Sequence, residues 1–211
     1  VSTVCLLTLL LGSLTLLHRA QARTTIPDVA AAPSAKAAPL RMIAKPSPHK
    51  RAMASRKIDT VVIHYMSGIN IDKARWDDPA LSMKILRDNR VSAHYIIDRQ
   101  GTAYKLVDEH DVAWHAGGSI MPAPDNRRNV NTFSIGIELI ATHDSGFTDA
   151  QYASLARLVT DIKGRHAITR LVGHDEIAGK RAVNLGLRRD AKPDPGPEFD
   201  WCRFRGMLDS M

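Results

Sequence analysis

Two largely apolar segments, each of which carries a titratable side chain among apolar neighbours, restrict the fold of this chain most strongly. Residues 59–65, Asp-Thr-Val-Val-Ile-His-Tyr, are rich in β-branched side chains and predict a buried strand that carries His64 near its end. Residues 133–141, Phe-Ser-Ile-Gly-Ile-Glu-Leu-Ile-Ala, predict a second strand that carries Glu138. Buried strands need cover, so the two segments predict a sheet with helices on both faces or mainly on one.

Helices and a hairpin occupy much of the remaining chain. A capping-box pattern, Thr148 followed by Gln151, marks the start of a long amphipathic helix. Because helices and strands mix, and because a hairpin is included, we predict an α/β (α+β) fold: a single domain, 58–211, with a central mixed β-sheet flanked by helices. The other predicted elements are helices at 78–87 and from Pro197, and strands at 92–98, 102–107 and 168–173.

The N-terminal segment has the features of a targeting sequence. Residues 4–17 are apolar and uncharged, and this run is shorter than the roughly 20 residues that a membrane-spanning helix needs. A small-x-small motif, Ala20-Gln-Ala22, follows. We predict a signal peptide over residues 1–22 and export to the periplasm or the cell envelope, with an uncleaved anchor as the alternative. After cleavage Cys202 would be the one remaining cysteine, which excludes an intramolecular disulfide.

Net charge favours a polyanion as the partner until its distribution is considered. The chain of 211 residues carries +7, but residues 23–57 hold eight basic residues against the single acid Asp28, whereas residues 58–211 hold 20 basic and 21 acidic residues. The domain is therefore nearly neutral, and without a recognition motif no nucleic acid is expected as a partner. Residues 23–57, which contain five of the eleven prolines, are predicted to be a disordered or weakly ordered basic linker that contacts an anionic envelope surface.

Three dispersed residues have the chemistry of a metal site. His64 and His174 both follow predicted strands, and Asp194 lies in the segment Lys192-Pro-Asp-Pro-Gly-Pro197. Two imidazoles and one carboxylate suit Zn²⁺, with a fourth position open for water. Prolines on both sides of Asp194 would restrict the backbone that presents it. The separations form no local signature, so packed histidines and an ordinary turn remain alternatives.

Two further charged residues are candidates for catalysis. In the second strand, alternation places Glu138 on the same face as Ser134 and Gly136, within an otherwise apolar run. A carboxylate there is costly unless it is paired or faces a site, and an environment of low dielectric would raise its pKa toward the range of a general base. Lys192, two residues before Asp194, could stabilise an oxyanion. A solvated glutamate and a surface lysine are the alternatives.

Seven segments, taken in order, resemble the type-2 N-acetylmuramoyl-L-alanine amidases. That family includes zinc amidases of bacteria and phages and the peptidoglycan recognition proteins of animals. The resemblance extends from about residue 58 to about residue 203. Its segments are Val61-Val-Ile-His64, Val91-Ser-Ala-His-Tyr-Ile-Ile97, Arg99-Gln-Gly-Thr102, Ala113-Trp-His-Ala-Gly117, Ser134-Ile-Gly-Ile-Glu138, Val172-Gly-His174 and the proline-rich segment at 192–197.

The resemblance implies a zinc site in a surface cleft and hydrolysis of the amide between N-acetylmuramic acid and L-alanine in peptidoglycan or muropeptides. Such an enzyme is expected to act as a monomer in cell-wall turnover. A peptidoglycan-binding module without activity is the alternative, which the complete ligand set disfavours. The positions carried over are His64, His174 and Asp194 as metal ligands, Glu138 and Lys192 as catalytic residues, and Trp114, His115 and His94 as substrate-binding residues.

Overall fold

A computed structural model of the chain describes residues 39–211. Its strands are β1 (Met42–Ala44), β2 (Lys50–Arg51), β3 (Thr60–Met66), β4 (Tyr95–Ile97), β5 (Ala103–Lys105), β6 (Val112–Ala113), β7 (Ser134–Ile140) and β8 (Arg170–Gly173). Its α-helices are α1 (Pro79–Asp88), α2 (Asp149–Arg165), α3 (His174–Ala178), α4 (Lys180–Asn184) and α5 (Trp201–Asp209), with short 3-10 helices at Lys73–Arg75 and Val130–Thr132.

The central sheet is mixed, as predicted. Its six strands lie in the order β1-β5-β4-β7-β3-β8. The strands β4, β7, β3 and β8 run parallel, β5 pairs antiparallel with β4, and β1 runs parallel to β5. A separate pair, β2 with β6, is antiparallel. The four adjacent parallel strands bring their carboxyl ends to one edge of the sheet, where polar residues that follow β-strands can meet.

The two faces of the sheet have different cover. On one face Ile135 and Ile137 of β7 belong to the main core, together with residues of α2 and α5 such as Leu155 and Phe204. On the other face α1 packs near β4 and α3 packs near β8. The capping box at the start of α2 is confirmed: Thr148 Oγ accepts a hydrogen bond from the Gln151 amide, and Gln151 Oε1 accepts one from the Thr148 amide.

The prediction of a disordered or weakly ordered linker over residues 23–57 is wrong for residues 39–57, which contain the paired strands β1 and β2. The amide of Lys45 donates to the carbonyl of Lys105 at 2.9 Å, and the amide of Ser47 donates to that of Leu106 at 2.8 Å. These bonds extend the parallel pairing of β1 with β5, so the segment joins the sheet through its backbone although two of the three side chains of β1 are exposed. The predicted signal peptide, residues 1–22, and the linker over 23–38 lie outside the described residues.

Smaller differences concern element boundaries. The last helix begins at Trp201 rather than at Pro197, because Asp200 caps it by accepting a 2.8 Å hydrogen bond from the amide of Arg203. The hairpin strands, predicted at 92–98 and 102–107, are three residues each. Across residues 39–211, no helix combines the length and the apolar character that a membrane span requires.

Candidate metal centre and active site

The three candidate ligands meet at the carboxyl edge of the parallel strands. His64 lies near the end of β3, and His174 is the first residue of α3, directly after β8. Since β3 and β8 are paired neighbours, the two imidazoles approach each other, with ring centroids 4.4 Å apart. Asp194 reaches them from the proline-rich loop, which the amide of Asp175 holds by a 2.7 Å hydrogen bond to the carbonyl of Asp194.

The donor atoms of these three residues converge. Asp194 Oδ2 lies 3.2 Å from His64 Nδ1 and 3.0 Å from His174 Nδ1. One donor atom from each side chain falls within 4.8 Å of the others, and all three residues are buried. Two Nδ1 atoms and a carboxylate oxygen form a donor set that suits Zn²⁺, which in catalytic sites takes three protein ligands and a water. The residues present therefore fit the metal that the sequence predicts.

Electrostatics favour the protonation states that a metal requires at His64 and Asp194. Burial, helped by repulsion from His174 and opposed by Asp194, lowers the pKa of His64 to about 4. Burial alone would raise the pKa of Asp194, but its close polar contacts with His174 and His64 hold the pKa well below its usual range. A neutral imidazole and an ionised carboxylate are the forms that bind zinc.

Glu138 is a buried carboxyl group beside this cluster. On β7 it pairs in register with His64 of β3, so their side chains share one face of the sheet. The side chain is buried, and Oε2 has no hydrogen-bond partner within residues 39–211. Burial and the charge of Asp194 raise the pKa of Glu138 to about 8, while the charge of Lys192 opposes them. An unpartnered carboxyl group with this pKa suits proton transfer near neutral pH.

Lys192 is exposed, and its charge reaches the centre of the site. It lowers the pKa of both Glu138 and His64. The amide of Lys192 donates to the carbonyl of Ala178 at 3.0 Å, which ties the start of the proline-rich loop to the end of α3. Lys192 is therefore a solvent-exposed cation whose charge acts on both Glu138 and His64.

The three residues predicted to bind substrate separate into one exposed side chain and two buried ones. Trp114 is 38% exposed, and the guanidinium of Arg51 lies 5.9 Å from its ring centroid. His115 is buried with its Nδ1 atom 3.0 Å from His64 Nε2. His94 is also buried, and its Nδ1 atom accepts a 3.0 Å hydrogen bond from the amide of Gly136. Both rings are buried and His115 contacts the candidate ligand His64, so direct substrate contact by these two histidines stays a prediction.

Arg56 is a residue near the site that sequence reasoning missed. It follows β2, and its guanidinium donates hydrogen bonds to the backbone carbonyls of Asp111 and Ser134 and lies 3.4 Å from His94 Nε2. Burial lowers its pKa to about 10. The segment around Arg56 has the composition of a linker, so the sequence held no signal for this contact.

The arrangement has the components of a hydrolytic metal centre: three ligands, a carboxyl group able to accept a proton, and a nearby cation. A family model described as N-acetylmuramoyl-L-alanine amidase matches residues 54–197. The 1,6-anhydro-N-acetylmuramyl-L-alanine amidase AmpD of Citrobacter freundii is 40% identical over 121 residues. That match covers 56% of this chain and 58% of the relative, so the chain spans less than two thirds of this curated relative's length.

Solved structures of related proteins share the fold. A selenomethionine derivative of AmpD has a TM-score of 0.61 at 33% identity, over 82% of this chain and 96% of that one. The amidase AmiD from E. coli, in complex with anhydro-N-acetylmuramic acid-L-Ala-D-γ-Glu-L-Lys, has a TM-score of 0.57 at 30% identity, over 74% and 60% of the two chains. With a family match that covers more than half of its residues, the chain belongs to the type-2 N-acetylmuramoyl-L-alanine amidase family.

Proposed function

We propose that this protein is a zinc-dependent amidase that hydrolyses the bond between N-acetylmuramic acid and L-alanine in peptidoglycan or its muropeptide fragments. The observation that carries the proposal is the convergence of His64, His174 and Asp194 beside Glu138, whose Oε2 atom has no partner among the described residues. A binding module without activity would have no need for a buried carboxyl group at this position, since an unpartnered buried oxygen is costly.

Each residue has a specific role in this proposal. His64 and His174 would hold zinc through their Nδ1 atoms, and Asp194 through its carboxylate. When bound, zinc supplies Lewis acidity to the site. Glu138 accepts a proton from the attacking water at Oε2 and then delivers it to the nitrogen of the departing L-alanine. Lys192 stabilises the negative charge that develops on the carbonyl oxygen of the amide.

The charge state of Glu138 is central to this mechanism. A general base must be ionised before the reaction, and a general acid must be protonated after it. A pKa of about 8 means that the proton, once accepted, is held firmly enough to be delivered to the leaving nitrogen. The ammonium of Lys192 already opposes this rise in pKa, and a cation at the ligand cluster would favour the ionised form further and so prepare the carboxylate for the first step.

We further propose that Trp114 forms part of the substrate cleft. Its exposed ring follows β6 directly and precedes His115 in the chain, so it lies one residue from a side chain that contacts a ligand. Indole rings give a flat apolar surface on which a sugar or a peptide can pack. Export through residues 1–22 would bring this cleft to the cell wall.

The test is hydrolysis of a defined muropeptide. Anhydro-N-acetylmuramic acid-L-Ala-D-γ-Glu-L-Lys is a suitable substrate, because the related E. coli amidase binds it as its substrate. Mass spectrometry of the products should show free anhydro-N-acetylmuramic acid and the released tripeptide. The reaction should stop in the presence of a chelator and return when zinc is added. Binding of the muropeptide without cleavage, with zinc present, would establish the binding module instead.

A further inference from the structure

The Nε2 atoms of the two candidate ligand histidines face His115 and Ala116, which are consecutive residues of one loop. His64 and His174 direct Nδ1 toward Asp194, and their Nε2 atoms face the opposite way. His64 Nε2 lies 3.0 Å from His115 Nδ1, and His174 Nε2 lies 3.3 Å from the carbonyl oxygen of Ala116. The loop at residues 115–116 therefore contacts both candidate ligands from behind.

The hydrogen bonds beyond His115 define where its proton lies. Ser134 Oγ has a single hydrogen, which it donates to the carbonyl of Val130 at 2.7 Å. In its 3.2 Å contact with His115 Nε2, Ser134 must therefore accept, so the hydrogen of His115 is on Nε2. A neutral imidazole has one such hydrogen, which leaves a lone pair on His115 Nδ1. This lone pair accepts a hydrogen bond from Nε2–H of His64, whose Nδ1 lone pair then faces the metal position.

A single contact defines the tautomer of His174. The carbonyl oxygen of Ala116 can only accept, so the contact at 3.3 Å places the hydrogen of His174 on Nε2. Its Nδ1 lone pair is then directed toward Asp194 and the metal position. Both histidines thus have the tautomer that ligates through Nδ1, and each is assigned by a neighbour on the same loop.

One side-chain oxygen holds this loop in place. Asn131 Oδ1 accepts hydrogen bonds from the amides of His115, at 3.1 Å, and Ala116, at 2.8 Å. Asn131 belongs to the 3-10 helix Val130–Thr132, which leads directly into β7. Both contacts behind the ligands therefore depend on one amide side chain anchored beside the central sheet.

We propose that His115 and Asn131 are positioning residues of the metal site, which orient His64 and His174 and select their Nε2–H tautomers. The proposal rests on the zinc function proposed above. It assigns to His115 an outer-shell role in place of substrate contact, and it gives a role to Asn131, which no motif singles out. Partners of this kind typically change metal affinity by about 10–100-fold when they are removed.

An isosteric pair of variants tests the role of His115. His115→Asn keeps an acceptor oxygen near the position of Nδ1, whereas His115→Leu has a similar shape and no acceptor. Competition with a chromophoric chelator should show zinc binding about 10–100-fold weaker in His115→Leu, with most of the affinity retained in His115→Asn. Asn131→Leu should weaken zinc binding, and Asn131→Asp should not. Equal losses in both members of a pair, or no loss in the leucine variants, would overturn the proposal.

A measurement on the unmodified protein is independent of any folding defect in the variants. Long-range ¹H–¹⁵N spectra of the zinc-loaded protein should show His64, His115 and His174 with hydrogen on Nε2, and a hydrogen on Nδ1 of His115 would refute the assignment. Zinc binding and muropeptide cleavage by the wild type are measured first. Failure at that stage removes the proposed function, whereas a wild type that binds zinc no better than His115→Leu removes the positioning role alone.

Discussion

Gly136 of β7 lies directly against the ring of His115: a Cβ atom at this position would be 2.3 Å from Cγ of the imidazole. No real Cβ contact is this short, so any larger residue must displace the histidine from His64. The neighbouring residues Ser134 and Glu138 share this face of β7. The glycine of the Ser-Ile-Gly-Ile-Glu segment thus provides space for the imidazole that contacts the candidate metal ligand His64.

Gly136→Ala should therefore weaken zinc binding as well as the fold. Overpacking of a buried position typically costs about 1–3 kcal/mol in the free energy of unfolding. Denaturant titration and chelator competition measure the two effects. Gly164→Ala in α2 is the matched control, because its Cβ would have no atom within 4 Å and the change should stabilise the helix by about 0.5–1 kcal/mol. Zinc binding by Gly136→Ala equal to that of the control would contradict the prediction.

Glu138→Ala should retain zinc and lose most of its activity. The carboxyl group is absent from the converging ligand cluster, so its removal leaves the donor set intact. Loss of a general base typically reduces turnover by about 10²–10⁴-fold. Muropeptide cleavage and the zinc content of the same preparation check both parts. Wild-type turnover in this variant would exclude Glu138 as the base.

His64→Ala should abolish stoichiometric zinc binding. Two donors from His174 and Asp194 would remain, which is fewer than the three protein ligands that catalytic zinc sites use. Elemental analysis after dialysis measures the metal content. His143→Ala is the control, since this exposed histidine pairs with Glu198 and lies outside the ligand cluster. A His64→Ala protein that retains one zinc per chain would show that the metal site has been misassigned.

Two N-terminal truncations should show whether the folded domain begins at residue 39 or at residue 58. A chain that begins at residue 39 should keep the stability of the folded domain, because β1 and β2 are intact. A chain that begins at residue 58 loses both strands and the bonds of Arg56 to the carbonyls of Asp111 and Ser134. We expect a lower thermal midpoint and reduced muropeptide turnover for the shorter chain. Equal midpoints for the two chains would mean that residues 39–57 contribute nothing to the fold.

The buried carboxylate of Glu109 should determine part of the loss of folding stability at low pH. Glu109 accepts hydrogen bonds from Tyr95 at 2.6 Å and from Arg165 at 2.7 Å, and it contacts His166 at 2.7 Å. Burial alone would raise its pKa, but these bonds lower the pKa to about 2. Because the folded pKa lies below the unfolded value, the carboxylate stabilises the protein above pH 4.5, and this contribution declines as the pH falls toward 2.

Glu109→Gln should therefore be less stable at pH 7 and less sensitive to acid. Hydrogen bonds to charged groups contribute roughly 1.5–3 kcal/mol, so we expect a loss of this size in the free energy of unfolding at pH 7. Urea titrations from pH 2 to pH 7 measure the dependence. The wild type should lose its advantage over the variant between pH 4.5 and pH 2. A constant difference across this range would show that the charge of Glu109 does not stabilise the fold.

The central sheet was predictable because side-chain patterns mark its interior strands. The β-branched run that became β3 and the alternating run that became β7 must be buried, and the polar residues within them indicated the site. The ligand chemistry followed from residue types, and the family resemblance joined residues that are far apart in the chain. A sequence pattern of this kind records which side chains avoid water, so it works best where both faces of a strand are covered.

Other features depend on contacts that side-chain patterns do not encode. β1 joins the sheet through its backbone, and the run Met42–Ala44, although apolar, is only three residues long and too short to show the pattern that marks a strand. Whether His115 contacts substrate or a ligand depends on how residue 115 packs against Ser134 and Gly136. These residues come from separate parts of the chain, so the burial of His115 against His64 could be known only from the fold.

The ordered state of residues 39–57 also changes how the domain would approach a charged surface. This segment contains six basic residues and no acidic ones, so the described part of the chain has 26 basic and 21 acidic residues, a net charge of +5. Positive charge that a flexible linker would have carried is attached rigidly to the folded domain. Encounter with a polyanionic wall would then be accelerated by the domain itself, with a rate that falls as ionic strength rises.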